Sequence, residues 1–216
     1  MDKKTIISQT ITFVKQQLKG DATGHDWWHV HRVWHMALTL AEKEGADLFV
    51  VQLAALLHDI ADWKFHAGDD KKGGVIARQW LESLGLEEKV IGHVCQIVSD
   101  ISFKGASVAT HMKTIEGKVV QDADRLDALG AIGIARAFAY GGYKGRPMFN
   151  PKIEPVLHQS FDQYKANKGT TINHFHEKLF LLKDRMNTTA AKRIAEERHC
   201  YMEEFVGRFK KEWGNE

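Results

Sequence analysis

From Leu48 to Ile60 the chain is apolar on nearly every helical face. A helix that is hydrophobic all round must be covered on all sides, so the rest of the chain has to pack around it. Near its end stand His58 and Asp59. An unpaired carboxylate in such a low-dielectric setting costs several kcal/mol, so something cationic should meet Asp59. An Arg or Lys would serve, and a His-Asp dipeptide taken alone carries little weight.

The periodicity elsewhere is also helical. Ile7, Ile11, Val14 and Leu18 fall at helical spacing with Gly20 as a stop, and Val30, Val33, Ala37, Leu40 and Ala41 make a second stripe that ends near Gly45. Further helices are expected at 74–84, stopped by Gly85, and at 87–101. One buried helix is expected from Val119 to Ala139, broken at Gly141-Gly142. The last third reads as helices near 154–165, 171–186 and 189–213, the final one capped by Thr188 or Thr189. The stripe of Ile194, Tyr201, Phe205 and Phe209 reads as core rather than as an aromatic stacking platform. No segment alternates with a two-residue period, and no linker or repeat divides the 216 residues. The expectation is an all-α, single-domain fold over 1–216, with a core of about 20–140 and C-terminal helices of about 150–213 completing the pocket.

A formal charge of +2 is too small to call for nucleic acid or an anionic membrane as partner. Cys95 and Cys200, both inside helical patterns, read as buried thiols rather than a disulfide or zinc site. The N-terminus has no apolar stretch of signal-peptide length and no run is long enough to span a bilayer, so a cytoplasmic protein is expected.

Two further segments give the His58-Asp59 pair its meaning. His25-Asp26-Trp27-Trp28-His29-Val30-His31-Arg32-Val33 opens the helix before it, and Val120-Gln121-Asp122-Ala123-Asp124-Arg125-Leu126-Asp127 is expected to open a helix well after it. With HDxxHxxRV, then His-Asp, then DADRLDA, the sequence resembles the HD superfamily of metal-dependent phosphohydrolases, and within it the small bacterial stand-alone HD hydrolases. The resemblance extends over Gly141–Pro147 and His174–Leu179 and spans nearly the whole chain.

The resemblance implies His29, His58, Asp59 and Asp124 as ligands of one divalent metal ion. Two imidazoles and two carboxylates suit Mn²⁺, the first expectation, and also Fe²⁺, Co²⁺, Ni²⁺ or Mg²⁺. Such a set leaves positions for water and a phosphate oxygen, as a catalytic metal requires. Asp62 lies on the face of His58 and Asp59; related HD nucleotidases hold a proton-handling carboxylate there, which makes Asp62 the candidate general acid/base, against a solvated turn residue or a partner of Lys64. Arg32, Lys64 and Arg125 lie beside the ligand positions and could meet phosphate oxygens, or form ordinary ion pairs.

By geometry alone His25 with His29, or His31 with His35, could chelate an ion; the resemblance selects His29, leaving His31 and His35 as surface residues. Asp122 and Asp127 read as groups that support or cap, with Asp122 the runner-up ligand. His93 and His111 occupy the interval where binuclear relatives bind a second metal; one metal is the more economical reading, with His93 as a phosphate contact or a support for the ligands. Lys104, Arg146, His174 and Lys178 are further candidates to line the pocket.

The implied activity is hydrolysis of nucleotides, foremost a nucleoside triphosphate to monophosphate and pyrophosphate. A 5′-nucleotidase or another phosphomonoesterase or phosphodiesterase of the class is the rival, and a binuclear HD oxygenase or a non-catalytic nucleotide-binding regulator stays open. The partner expected is a small-molecule nucleotide, with no nucleic acid, no membrane, and a homodimer left open.

Overall fold

The structure is a computed structural model, described here for residues 1–19, 26–60, 72–101, 110–158, 160, 163 and 169–214. The chain forms two compact units, Met1–Ser102 with Thr110–Ala123, and Phe103–Ala109 with Asp124–Glu216. The described residues are helical or irregular and include no strand, as the periodicity predicts. No described helix is long and apolar enough to cross a membrane.

The first unit is organised around helix α3 (Leu48–Leu57), on which α1 (Lys3–Gln17), α2 (Trp27–Glu44) and α5 (Glu88–Asp100) all pack. From Leu53 to Leu57 every residue is fully buried, which is the environment its all-round hydrophobicity requires. The burial is incomplete in the first turn, where Leu48 is exposed, and the helix ends at Leu57 rather than Ile60. Asp47 fixes its start by accepting from the amides of Phe49 and Val50 at 2.8 and 3.3 Å. Helix α4 (Lys72–Ser83) packs on α5 and is tied to α1 through Trp80, which stacks on Phe13 at 4.1 Å and donates its Nε1 proton to Thr10.

Helix α6 (Ile115–Asp127) belongs to the first unit up to Ala123 and to the second from Asp124. The single helix expected over Val119–Ala139 is in fact two, because the chain turns through Ala128 and Leu129 and restarts as α7 (Gly130–Tyr143). Gly130 has φ +72°, a left-handed conformation that only glycine takes freely. Arg198 donates to the Leu126 carbonyl, satisfying one of the acceptors that the end of α6 leaves open. Gly141-Gly142 does not break α7. A Cβ at Gly141 would run into the Thr171 hydroxyl, so that glycine serves close packing against α8 (Thr171–Glu177).

Three further expectations need correction in the second unit. Residues 154–158 are not helical: the Val156 amide donates to Glu177 and the Ile153 carbonyl accepts from Asn173, so side chains of α8 take the place of a helical ladder. The helix expected over 171–186 stops at Glu177 and continues as two 3₁₀ turns, Leu179–Leu181 and Lys183–Arg185. Helix α9 (Thr189–Glu212), capped by Thr188, buries Ala191, Ala195, His199, Met202 and Val206, a stripe rotated from the expected one. Tyr201 is exposed on it, while Phe205 and Phe209 are half-buried beside Phe138. Neither cysteine is a fully buried thiol. Cys200 is exposed; Cys95 is half-buried, which pushes its thiol pKa up.

Gly133 tests the turn between α6 and α7. A Cβ there would collide with the Ala128 carbonyl, which belongs to backbone and cannot step aside. Gly133→Ala is expected to lower stability by about 1–3 kcal/mol, the usual cost of overpacking, read as a fall in the urea midpoint. An unchanged midpoint would contradict the close approach.

Candidate metal centre

Asp26 places the first ligand candidate. Its side chain accepts from the His29 amide at 3.0 Å, fixing the start of α2 so that His29 stands in the helix's first turn. His29 is completely buried, an unusual position for an imidazole. His58 and Asp59 follow the last residue of α3, where the helix gives way to a turn. The end of the most apolar helix therefore delivers both polar side chains to one side chain of α2.

There the His29 and His58 Nε2 atoms are 3.2 Å apart and Asp59 Oδ2 is 3.6 Å from His29 Nε2. One ligand atom from each residue lies within 4.8 Å of the others. His58 Nδ1 is 2.7 Å from the Ala55 carbonyl oxygen. A carbonyl only accepts, so Nδ1 carries a proton, and the tautomer this selects has its lone pair at Nε2. That lone pair faces a second imidazole nitrogen with a carboxylate beside them. Two ring nitrogens aimed at one point beside a carboxylate are what a divalent cation requires, and a backbone carbonyl fixing the tautomer is the usual support for a ligating histidine. The residues present thus fit a metal of the mixed nitrogen and oxygen class. Within this cluster Asp59 meets the His29 imidazole, with His58 close by.

Asp124 is half-buried on α6, in the part of that helix that belongs to the second unit. Asp122, the runner-up, is completely buried, and Asp127 accepts from Arg136 at 2.9 Å in an ion pair between α6 and α7. Arg125 is nearly buried and donates to the Arg185 carbonyl, a structural bond within the second unit. Arg32 is half-buried on α2. His93 is committed to the start of α6: its Nε2 is 2.9 Å from Thr114 Oγ1 and 3.6 Å from Glu116 Oε2. The other Glu116 oxygen accepts from the Asp47 amide at the start of α3. His111 is exposed and outside the cluster. Arg146 lies over the Tyr140 ring at 5.9 Å, and His174 and Lys178 are half-buried at the end of α8. Asp62, Lys64 and Lys104 lie outside the described residues.

Two groups that act on the site had no role assigned from sequence. The Ala55 carbonyl is a backbone atom and leaves no trace in side-chain patterns. Asp26 had a readable signal, an aspartate immediately before a helix, but its motif neighbours drew the attention.

The HD domain family model matches residues 27–129, the interval that contains the cluster. Over 205 residues the chain is 39% identical to the Bacillus subtilis protein YpgQ, covering 94% of this chain and 92% of that one. The chain belongs to the HD-domain superfamily. Among solved structures it is similar to a Lactobacillus plantarum protein, with a TM-score of 0.89, 39% identity and 99% of each chain covered. An HD-superfamily hydrolase of Bacillus thuringiensis is 48% identical over the full length of both chains, with a TM-score of 0.75. YpgQ in its crystal structure with ADP superposes with a TM-score of 0.74 at 36% identity, covering 95% of this chain and 97% of that one.

Asp26→Ala is expected to cost about 0.5–2 kcal/mol, the range for loss of an N-cap side chain. Urea denaturation of the two proteins side by side checks this. Equal midpoints would show that Asp26 does not hold the start of α2.

Proposed function

We propose that this HD-domain protein is a metal-dependent phosphohydrolase that cleaves nucleoside triphosphates to monophosphate and pyrophosphate. The observation that carries the reading is the convergence of His29, His58 and Asp59, with the His58 proton held on the Ala55 carbonyl and its Nε2 lone pair turned inward. The complex of YpgQ with ADP supports a nucleotide as ligand.

In this reading His29, His58, Asp59 and Asp124 hold one divalent ion, Mn²⁺ before Mg²⁺, Ni²⁺, Co²⁺ or Fe²⁺. When bound, such an ion supplies Lewis-acid polarisation of a phosphoryl oxygen and lowers the pKa of water. The residues do the rest. The Ala55 carbonyl keeps the His58 ring from turning and keeps its proton on Nδ1, away from the reacting groups. Burial of His29 excludes bulk water and so strengthens the electrostatics of the cluster. Asp62 accepts the proton of the attacking water as general base, and Arg32, Lys64, Lys104, Arg146, His174 and Lys178 are the polar groups from which phosphate contacts are drawn. A polyphosphate chain offers several oxygens to share among such groups, and a monophosphate offers fewer.

The site assignment is tested with Asp59→Ala. The variant is expected to lose both metal binding and turnover while its far-ultraviolet circular dichroism stays helical. Near-normal activity at limiting metal would overturn the assignment.

Asp62→Asn separates proton transfer from ligation. A loss of roughly 10²–10⁴-fold in rate, with metal content unchanged, is expected of a general base. A variant that also loses its metal would make Asp62 a ligand or a structural group.

The bond cleaved is read by hydrolysis in ¹⁸O-water. Label in the nucleoside monophosphate and none in pyrophosphate is the expected outcome. Label in the pyrophosphate would place attack at the β-phosphorus, and preference for a monophosphate substrate would make the protein a 5′-nucleotidase.

A further inference from the structure

A second pair of histidines stands on α2 outside the cluster just described. His31 and His35 are one helical turn apart and belong to a different face from the buried stripe of Val30, Val33 and Ala37. Side chains four apart on a helix are neighbours, and here the two imidazole centroids are 4.3 Å apart with their planes inclined at 53°. The His29 and His58 rings, whose Nε2 atoms are 3.2 Å apart, have centroids 5.2 Å apart. The His31 and His35 rings are therefore at least as close as a pair whose nitrogens already converge.

Indole rings hem in this pair. Trp27 and Trp28 each meet His31 edgewise with centroids 5.7 Å away, and Trp34 lies 6.2 Å from His31 and 4.7 Å from His35. Such packing narrows the rotamers open to both imidazoles and reduces the entropy lost on holding them together. His31 is half-buried and His35 is exposed, so the pair opens to solvent. Among the described residues neither ring is held by a hydrogen bond or an ion pair.

We infer that His31 and His35 form a second metal site, a two-imidazole chelate for late first-row divalent ions such as Ni²⁺, Cu²⁺ and Zn²⁺. Two nitrogens bound to one tetrahedral ion at about 2.0–2.1 Å lie roughly 3.3 Å apart, within the span of two rings whose centroids are 4.3 Å apart. Imidazole suits Zn²⁺, Cu²⁺ and Ni²⁺, whereas Mg²⁺ and Mn²⁺ favour carboxylate, carbonyl and water oxygens. The pair has no carboxylate in it, so its selectivity differs from that of the His29, His58 and Asp59 cluster. Lys15, whose ammonium lies over the Trp27 ring at 4.7 Å, adds positive charge nearby and keeps the affinity modest. Water completes the coordination on the open side.

The experiment uses the untagged full chain carrying Asp59→Ala, which removes the other cluster from the count. Ni²⁺ is titrated in with calorimetry and indole fluorescence as readouts, and Mn²⁺ is titrated as control. One equivalent of Ni²⁺ that quenches the neighbouring tryptophans, and no matching Mn²⁺ signal, is expected. Adding His35→Ala should weaken Ni²⁺ binding by at least roughly tenfold, since loss of even an outer-sphere partner costs about 10–100-fold. His35 is exposed, so its replacement leaves packing intact, and circular dichroism verifies that. Ni²⁺ binding that is absent in Asp59→Ala, or that is unchanged by His35→Ala, would overturn the inference. Neither result bears on the phosphohydrolase reading, which stands or falls on Mn²⁺ binding and turnover in the chain with Asp59 intact.

Discussion

The proton that His58 gives to the Ala55 carbonyl is the interaction on which the candidate centre depends. A neutral imidazole has one donor and one acceptor nitrogen, and which is which decides whether it can ligate a cation. With the donor committed to a backbone oxygen three residues earlier, the acceptor is left facing His29. The donor's partner is itself held by α3, whose last five residues are fully buried among α1, α2 and α5. The apolar core thus orients a polar group whose chemistry lies outside it, and a conformational change at the site would have to disturb a fully buried helix end.

The same helix explains why so much was legible in the residues. A thirteen-residue stretch without a polar face demands burial, and His58 and Asp59 at its end contradict that demand unless something draws them together. The structure resolves the contradiction with His29, whose own burial comes from the apolar stripe of α2. Helix stops at Gly45 and Gly85 were readable because left-handed glycines close both helices, with φ of 69° and 70°. The Thr188 cap was readable for a similar reason, since a threonine before a long helical pattern has a fixed role.

What the residues did not disclose depends on contacts distant in sequence. The turn at Ala128-Leu129 had one local mark, Gly130, set in an otherwise apolar helical pattern, and a carbonyl bond from Arg198 helps to end α6 there. Nothing local marks that partner. Residues 154–158 fall in a stretch read as helical, but bonds from Asn173 to the Ile153 carbonyl and from the Val156 amide to Glu177 hold them in an irregular path. Propensity is a weak prior where tertiary bonds are on offer. The role of His93 was hidden likewise: a histidine between motif elements suggests a ligand or phosphate contact, yet Thr114 and Glu116 engage it in a bridge from α5 to α6.

The contact between Gly141 and Thr171 bears on how this chain can vary. The space a Cβ would need at 141 is filled by the hydroxyl at 171, two positions thirty residues apart that share one fixed volume. Close-packed interiors transmit such size changes rather than absorb them. Across related chains the two positions should therefore drift together, a side chain gained at the first accompanied by a smaller residue at the second. Thr171 also opens α8, so a lineage that enlarged the first position would have to rebuild the start of that helix as well.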